Sequence, residues 1–167
     1  MPLTRSQLEN PGDLWANIAN AIIRADSPAW GFTAYGHRHP GAMDNNRVEI
    51  IATDLGRASD FQQYANINGT PQFYYAHRQV RLAYAVVAPT ASRDNANYAY
   101  AFGRLGTLHA KDTQVFTNTN VSNLAVVDIE DEGAGASDPD EKTDRDRSTR
   151  SFLITYVVPP AVMSAAT

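Results

Sequence analysis

Apolar residues recur at steps of three and four positions between Asn10 and Asp26, in the segment NPGDLWANIANAIIRAD. This spacing places them on one stripe of an amphipathic helix. Pro11 and Gly12 precede the stripe, and Asp13 in the first turn interacts favourably with the helix dipole. We therefore predict a helix with the buried stripe Leu14, Trp15, Ile18, Ala19, Ile22 and Ile23.

A second apolar stripe predicts another helix in the segment SRDNANYAYAFGRLGTLHA, residues 92–110. Ser92 or Asp94 is the expected N-cap. Gly103 and Gly106 each disfavour the helix by about 1 kcal/mol relative to alanine. We expect either close packing at these glycines or an early end to the helix. The stripe comprises Tyr98, Phe102, Leu105 and Leu108 or His109.

Strict alternation of apolar residues predicts four strands, at 47–55, 80–89, 123–130 and 150–158. In the third strand we expect Ala125, Val127 and Ile129 on one face, opposite Asp128 and Glu130. The last two strands are expected to pair antiparallel across a long connection. The expected inward sets of the other three are Val48, Ile50 and Ala52; Val80, Leu82, Tyr84 and Val86; and Phe152, Ile154, Tyr156 and Val158.

Irregular composition separates these elements. The segment DSPAWGFTAYGHRHPGAMDNN, residues 26–46, is rich in Pro, Gly and Asn and is predicted to be loop. Asn68 and Gly69 supply the positive φ angles of a tight hairpin turn, which predicts a hairpin with an aromatic second arm.

The order of these elements indicates an α+β fold: a mostly antiparallel, mixed β-sheet covered by two α-helices, with a long acidic loop between the last two strands. We expect one domain at residues 1–160, because 167 residues are enough to bury one core, and a short tail at 161–167.

Composition narrows the function classes. A net charge of −4 argues against a surface that coats DNA, which would be basic. The absence of cysteine excludes disulfides and zinc–thiolate sites and leaves the redox compartment open. No run approaches 18 apolar residues and the N-terminus lacks a signal-peptide core, so we expect a protein made and used, or assembled, in the cytoplasm.

The stretch DIEDEGAGASDPDEKTDRDR, residues 128–147, carries nine of the chain's 18 acidic residues and a formal charge of −6. Its carboxylates suggest calcium or magnesium, but the helix–loop–helix calcium motif fits in neither register. Starting at Asp128, the twelfth position is Pro139; starting at Asp138, the sixth is Thr143 instead of glycine. We therefore interpret the stretch as a solvated connection, not a metal site.

The sequence gives weaker support to other metal, catalytic and nucleic-acid-binding sites. His37 and His39 can share a face of an extended segment, but no third ligand lies nearby in sequence, so a surface loop is the favoured interpretation. Neither a G-x-S-x-G elbow nor a phosphate-binding glycine loop is present. The aromatic run FYYAH lacks the interleaved basic residues of a single-strand binder, which favours packing in a core or between subunits.

In its order of segments the chain resembles the tail-terminator (tail-completion, head–tail joining) proteins of long-tailed bacteriophages. The resemblance rests on the N-terminal amphipathic helix, the strand RVEIIATDL, the unit RQVRLAYAVVAPTASRDNANYAYAFGRL, the acidic loop and the last strand RSFLITYVV. It covers about two-thirds of the chain and includes no catalytic motif. The aromatic segment 56–77 and the length of the acidic loop depart from the family, and we interpret both as insertions.

The resemblance implies a structural protein of the phage neck, without enzymatic activity or cofactor. It implies a homo-hexameric ring that caps the tail-tube protein, ends tube growth and offers a surface to the head connector or stopper protein. DNA would pass through without specific binding, and no membrane is involved. The implied location is the virion, after assembly in the host cytoplasm.

Two groups of residues are candidates for contacts in such a ring. Aromatic residues beyond the needs of one small core predict a subunit or tail interface: Trp30, Phe32, Tyr35, Phe73, Tyr74 and Tyr75. Acidic residues predict a loop that lines the channel, where it repels DNA, or faces a basic partner: Glu130, Asp131, Glu132, Asp138, Asp140, Glu141 and Asp144.

Three alternatives remain open from the sequence. A head-completion or stopper protein of the same neck is expected to be a β-barrel, so two genuine helices argue against it. A small peptide- or carbohydrate-binding module would grip its ligand with the aromatic hairpin. An enzyme that uses the acidic loop with a divalent ion would show ion-dependent activity or stability.

Overall fold

The structure is a computed structural model that describes residues 3–36, 46–57, 64–67, 70–73, 77–89, 96–117, 124–135, 138–140 and 145–158. These residues form three α-helices: α1 (Arg5–Glu9), α2 (Pro11–Asp26) and α3 (Ala96–His109). They also form eight strands: β1 (Thr33–Tyr35), β2 (Arg47–Arg57), β3 (Tyr64–Ile67), β4 (Thr70–Phe73), β5 (Arg78–Pro89), β6 (Ala125–Ala134), β7 (Asp138–Asp140) and β8 (Arg145–Val157).

Five strands lie side by side in the order β1-β2-β5-β8-β6, and β7 pairs with β8 beyond the end of β6. β1 runs parallel to β2, whereas the other pairs are antiparallel. β3 and β4 form a separate two-stranded sheet. The predicted α+β class, with a mostly antiparallel mixed sheet and covering helices, is therefore confirmed.

The first predicted helix is α2, which begins at Pro11, a residue favoured at the first helical position. Its predicted stripe faces the core, with Ile22 partly buried and the other five members fully buried. The five-residue α1 was not predicted, because it is too short for a stripe. A capping box fixes its start: the Thr4 hydroxyl accepts from the Gln7 N–H, and Gln7 Oε1 accepts from the Thr4 N–H at 2.9 Å.

Helices α2 and α3 cover the same face of the sheet. The Trp15 ring of α2 meets Tyr156 of β8 edge-on, with ring centroids 5.0 Å apart. His109 of α3 stacks on Phe152 of β8 at 3.9 Å. We call the opposite face, defined by the cross-strand row Thr53, Arg81, Leu153 and Glu130 with its neighbour Ile51, the second face.

The face assignment of the third predicted strand is wrong because β6 is bulged. The ladder passes from Val126, opposite Tyr156, directly to Asp128, opposite Thr155, and leaves Val127 without a partner on β8. The extra residue shifts the alternation, so Val126 and Ile129 pack against the core while Val127 is 49% exposed. A second irregularity follows between Asp131 and Gly133.

Other predictions differ from the structure at element ends. The segment expected to be loop contains β1, whose three residues are too few to show an alternation. β6 extends to Ala134 and β8 begins at Arg145, so both strands reach into the acidic stretch. α3 continues to His109, past both glycines. The candidate N-caps of α3, most of the connection between β6 and β8, and the tail 161–167 lie outside the described residues.

The predicted hairpin is present. Ile67 of β3 pairs with Thr70 of β4, which leaves only the two positions 68 and 69 to connect the strands.

Candidate functional site

Four acidic residues of the stretch lie on β6, which is an edge strand of the sheet. Asp128, Asp131 and Glu132 are exposed, as is Glu130. Charged side chains and bulges on an edge strand oppose the addition of another strand. We call these four residues the acidic edge. Asp138 and Asp140 are the first and last residues of β7. Glu141 and Asp144 lie outside the described residues.

Two of these acids form exposed ion pairs with other elements. Lys111, in the 3-10 turn Lys111–Thr113 after α3, pairs with Asp128, and its hydrogen bond lowers the pKa of that carboxyl. On the second face Arg81 Nε donates to Glu132 Oε1 at 2.8 Å, which raises the pKa of the guanidinium. Such exposed pairs contribute little to stability, because water and salt screen them.

Asp131 has a more buried partner. Arg150 of β8 donates to Asp131, and this hydrogen bond is the largest cause of the lowered pKa of the Asp131 carboxyl. Arg150 Nη1 also donates to the carbonyl of Phe102 at 3.1 Å. Its guanidinium lies 5.6 Å from the Phe102 ring centroid and 5.4 Å from that of Phe152. Arg150 therefore ties the acidic edge to α3.

His109 ends α3 inside the core, 2% exposed. Its Nδ1 lies 2.7 Å from the Leu105 carbonyl, and because a carbonyl only accepts, Nδ1 carries the proton. Nε2 then accepts from the Tyr84 hydroxyl at 2.7 Å. Burial lowers the pKa of His109 to about 3, so the imidazole is neutral at physiological pH and serves as a packing element.

The opposite edge of the sheet is β1, and its surroundings differ in chemistry from the acidic edge. An open cavity of about 350 Å³ adjoins it, lined by Arg24, Ser27, Phe32, Thr33 and Ala34. Phe32 and Ala34 are buried and form an apolar base, whereas Arg24 in the last turn of α2 is exposed. We call this region the β1 cavity.

The C-terminal end of α2, beside the β1 cavity, is held by a carboxylate with two partners. Asp26 accepts from Arg104 Nε and Nη2, at 2.7 and 3.0 Å, and from Trp30 Nε1 at 2.7 Å. The hydrogen bond from Arg104 is the largest cause of the lowered pKa of Asp26. This bidentate pair joins α2 to α3.

The second face also holds a buried charge cluster. Glu49 on β2 is fully buried between two arginines: its Oε1 accepts from Arg47 Nε at 3.0 Å, and its Oε2 lies 2.6 Å from Arg147 Nη1. Arg47 and Arg147 both pair with Val87 across the sheet, so the cluster spans β2, β5 and β8. Removing Glu49 would leave two neighbouring arginines without the carboxylate that they share.

The predicted interface aromatics have different environments. Trp30 and Phe32 are 1% and 5% exposed, so the chain itself buries most of their surface, and Phe32 also lines the β1 cavity. Tyr35 is half-buried on β1. Phe73 ends β4, and Tyr74 and Tyr75 lie outside the described residues.

Within the described stretches, no group of three or more His, Cys, Asp or Glu residues could hold a metal ion. His37 and His39 lie outside them. No helix of the described part is long and apolar enough to cross a membrane.

Three features of these surfaces were missed from the sequence. Arg150 and Arg24 gave no pattern, since a single arginine in a strand or helix has many possible partners. The exposure of Val127 depends on a bulge, which alternation alone does not reveal. In contrast, the sequence did indicate the close approach of another group at Gly106, because a glycine inside a helix is typical of close packing.

Comparison with known proteins adds no relatives: no protein-family model matches the chain, and no curated protein matches it at a significant level.

Proposed function

We propose that the chain is a structural virion protein of a phage neck, a terminator subunit that caps the tail tube as a hexameric ring. In this role it ends tube growth and joins the tail to the head connector or stopper protein. DNA passes through the ring without specific binding. The proposal includes no catalysis, cofactor or metal.

The order and placement of elements carry the proposal. An amphipathic helix, a long strand, a hairpin, a second long strand, a helix and two final strands follow one another along the chain. The long strands share one sheet, and α2 and α3 both cover one of its faces. Apart from the hairpin, which belongs to the insertion at 56–77, this is the element order on which the resemblance to tail terminators rests.

The sheet also suits a subunit of a closed ring. It ends in two different strands, β1 and β6, on opposite sides. A ring with rotational symmetry joins two different surfaces of the same chain, one from each neighbour, and closure covers edges that are otherwise a liability. The acidic edge and the β1 cavity are two such surfaces.

The stopper alternative receives less support. That class is expected to form a β-barrel, whereas β1 and β6 end an open sheet here, with helices α2 and α3 across one face. The binding-module alternative relies on a pocket of Phe73, Tyr74 and Tyr75, whose side chains the structure does not describe.

A capping assay tests the proposal. Purified tail-tube protein from a long-tailed phage that carries this chain is polymerised with and without it, and tube lengths are measured by negative-stain microscopy. We expect shorter tubes with extra density at one end, and light scattering of the purified chain near six times 18.3 kDa. Unchanged tube lengths at saturating concentration would refute the terminator role.

A further inference from the structure

The exposed side chain of Val127 is produced by the bulge in β6. Val127 is one of the few large apolar residues with high exposure in the described part of the chain, at 49%. Bulges are over-represented at sheet edges, where they can redirect a side chain. Here the redirected residue is apolar and directly precedes Asp128, the first residue of the acidic edge. An exposed valine in that position gains by burial at an interface.

Glu130 is the second distinctive group on this strand. Asp128, Asp131 and Glu132 form ion pairs with Lys111, Arg150 and Arg81. The Glu130 carboxylate is exposed and lies three residues beyond Val127, about 10 Å along an extended strand. The edge therefore presents an apolar side chain and a carboxylate at a fixed spacing.

The β1 cavity has complementary chemistry. Its base is formed by the buried residues Phe32 and Ala34, and its volume of about 350 Å³ easily admits a valine side chain. Arg24 is exposed at its rim and carries the opposite charge to Glu130. β1 and β6 are at opposite ends of the strand order, so the two surfaces of one copy cannot meet each other.

We propose that the acidic edge of one copy docks into the β1 cavity of the next copy, with Val127 entering the cavity and Glu130 pairing with Arg24. The contact is heterologous, joins unlike surfaces and repeats around a ring. It rests on the proposed ring and specifies which surfaces close it. Side chains make the contact, because the bulges of β6 oppose a continuous strand ladder.

Charge reversal tests the pairing between Glu130 and Arg24. Arg24→Glu and Glu130→Lys each place like charges at every contact, and we expect each variant alone to associate at least about tenfold more weakly. An equimolar mixture places unlike charges at every contact when the two variants alternate, which an even-numbered ring permits. We therefore expect the mixture to recover rings, as measured by light scattering and negative-stain microscopy.

Disulfide trapping tests the position of Val127. The chain has no cysteine, so a Val127→Cys variant mixed with a Thr33→Cys variant can form a mixed disulfide only between copies. The control mixes Val127→Cys with Thr107→Cys, which is exposed on α3. We expect at least fivefold more mixed dimer from the first pair, on non-denaturing oxidation followed by denaturing electrophoresis.

The outcomes separate this contact from the proposed function. Rings that form without the mixed disulfide, or single reversals that leave association unchanged, overturn the contact and leave the terminator role intact. Mixed disulfide at the control level in a monomeric sample also overturns it. A trapped contact and a rescued mixture, with no effect on tail-tube length, establish the contact and refute the terminator role.

Discussion

The guanidinium group of Arg150 occupies the space into which a side chain at Gly106 would project. A Cβ atom built on Gly106 would lie 2.6 Å from Arg150 Nη2 and 2.8 Å from Cζ. The arginine is held there by its hydrogen bonds to Phe102 and Asp131. The glycine thus lets a charged group from β8 pass between α3 and the acidic edge.

Alanine substitutions at the two glycines of α3 should have opposite effects. Gly106→Ala displaces Arg150 from charged hydrogen bonds worth about 1.5–3 kcal/mol, which outweighs the gain of about 1 kcal/mol in helix propensity. We expect a net loss of about 1 kcal/mol in unfolding free energy. A Cβ on Gly103 meets no atom within 4 Å, so Gly103→Ala should stabilise by about 0.5–1 kcal/mol. Urea unfolding measures both, and equal effects would contradict the role of Arg150.

Neighbouring acids of the acidic edge should differ in importance. Asp131→Asn removes a carboxylate that is 43% exposed from Arg150, which is 20% exposed, and with allowance for solvent screening should cost about 1 kcal/mol. Glu132→Gln removes an exposed pair with Arg81 and should cost less than Asp131→Asn. Urea unfolding at neutral pH compares the two. The interpretation fails if Glu132→Gln is the more destabilising change.

The different partners of Asp131 and Glu132 show what could not be predicted from the sequence. Periodicity was sufficient for α2, α3 and the long strands, because each depends on the spacing of apolar residues. Of the pairs among these long strands, only the antiparallel pairing of the last two was predicted. Spacing does not identify the partners of charged residues. Asp131 and Glu132 are adjacent in an acidic run, yet Asp131 pairs with Arg150 and Glu132 pairs with Arg81. Alternation along a strand directs the two side chains to opposite faces, but which arginine each one meets depends on three-dimensional neighbours.

The prediction of candidate site residues had the same limit, because residue type and spacing do not reveal which residues meet in the folded chain. Aromatic content indicated Trp30 and Phe32 as contact residues; the chain itself buries most of both, and Phe32 lines the β1 cavity. Of that group, Tyr35 lies on β1 at the edge of the sheet. The β1 cavity joins residues of α2, β1 and the turn between them, and only the folded chain brings them together.

His109 should make stability depend on pH. Its folded pKa of about 3 lies below the unfolded value of 6.5, so below pH 6.5 the unfolded chain binds a proton that the folded chain does not. The stabilisation is complete above pH 6.5 and is lost as the pH falls towards 3. The slope approaches about 1.4 kcal/mol per pH unit. Urea unfolding at pH 7.5, 6.5 and 5.5 should show the loss beginning before the carboxylates titrate.

A non-titrating variant provides the control for this slope. His109→Gln should be less stable at pH 7.5, because it loses the stacking on Phe116 and Phe152, but its stability should change less between pH 7.5 and 5.5. If that variant does not fold, NMR of the native chain replaces it. The His109 ring signals should then stay constant from pH 8 to pH 5; a midpoint near 6.5 would contradict the buried neutral form.

Charge reversal at Glu141 and Asp144, two further acids of residues 128–147, tests whether this part of the chain faces the DNA channel. Glu141→Lys and Asp144→Lys together leave the ion pairs of Asp128, Asp131 and Glu132 in place. If the stretch lines the channel, purified rings should retain duplex DNA at low salt, because added lysines bind phosphate and release counterions. Retention should fall steeply as salt rises. A variant with the same charge change at exposed Asp13 and Asp112 should retain no DNA. Equal retention by both double variants, or by neither, would place the stretch away from the channel and favour a basic protein partner.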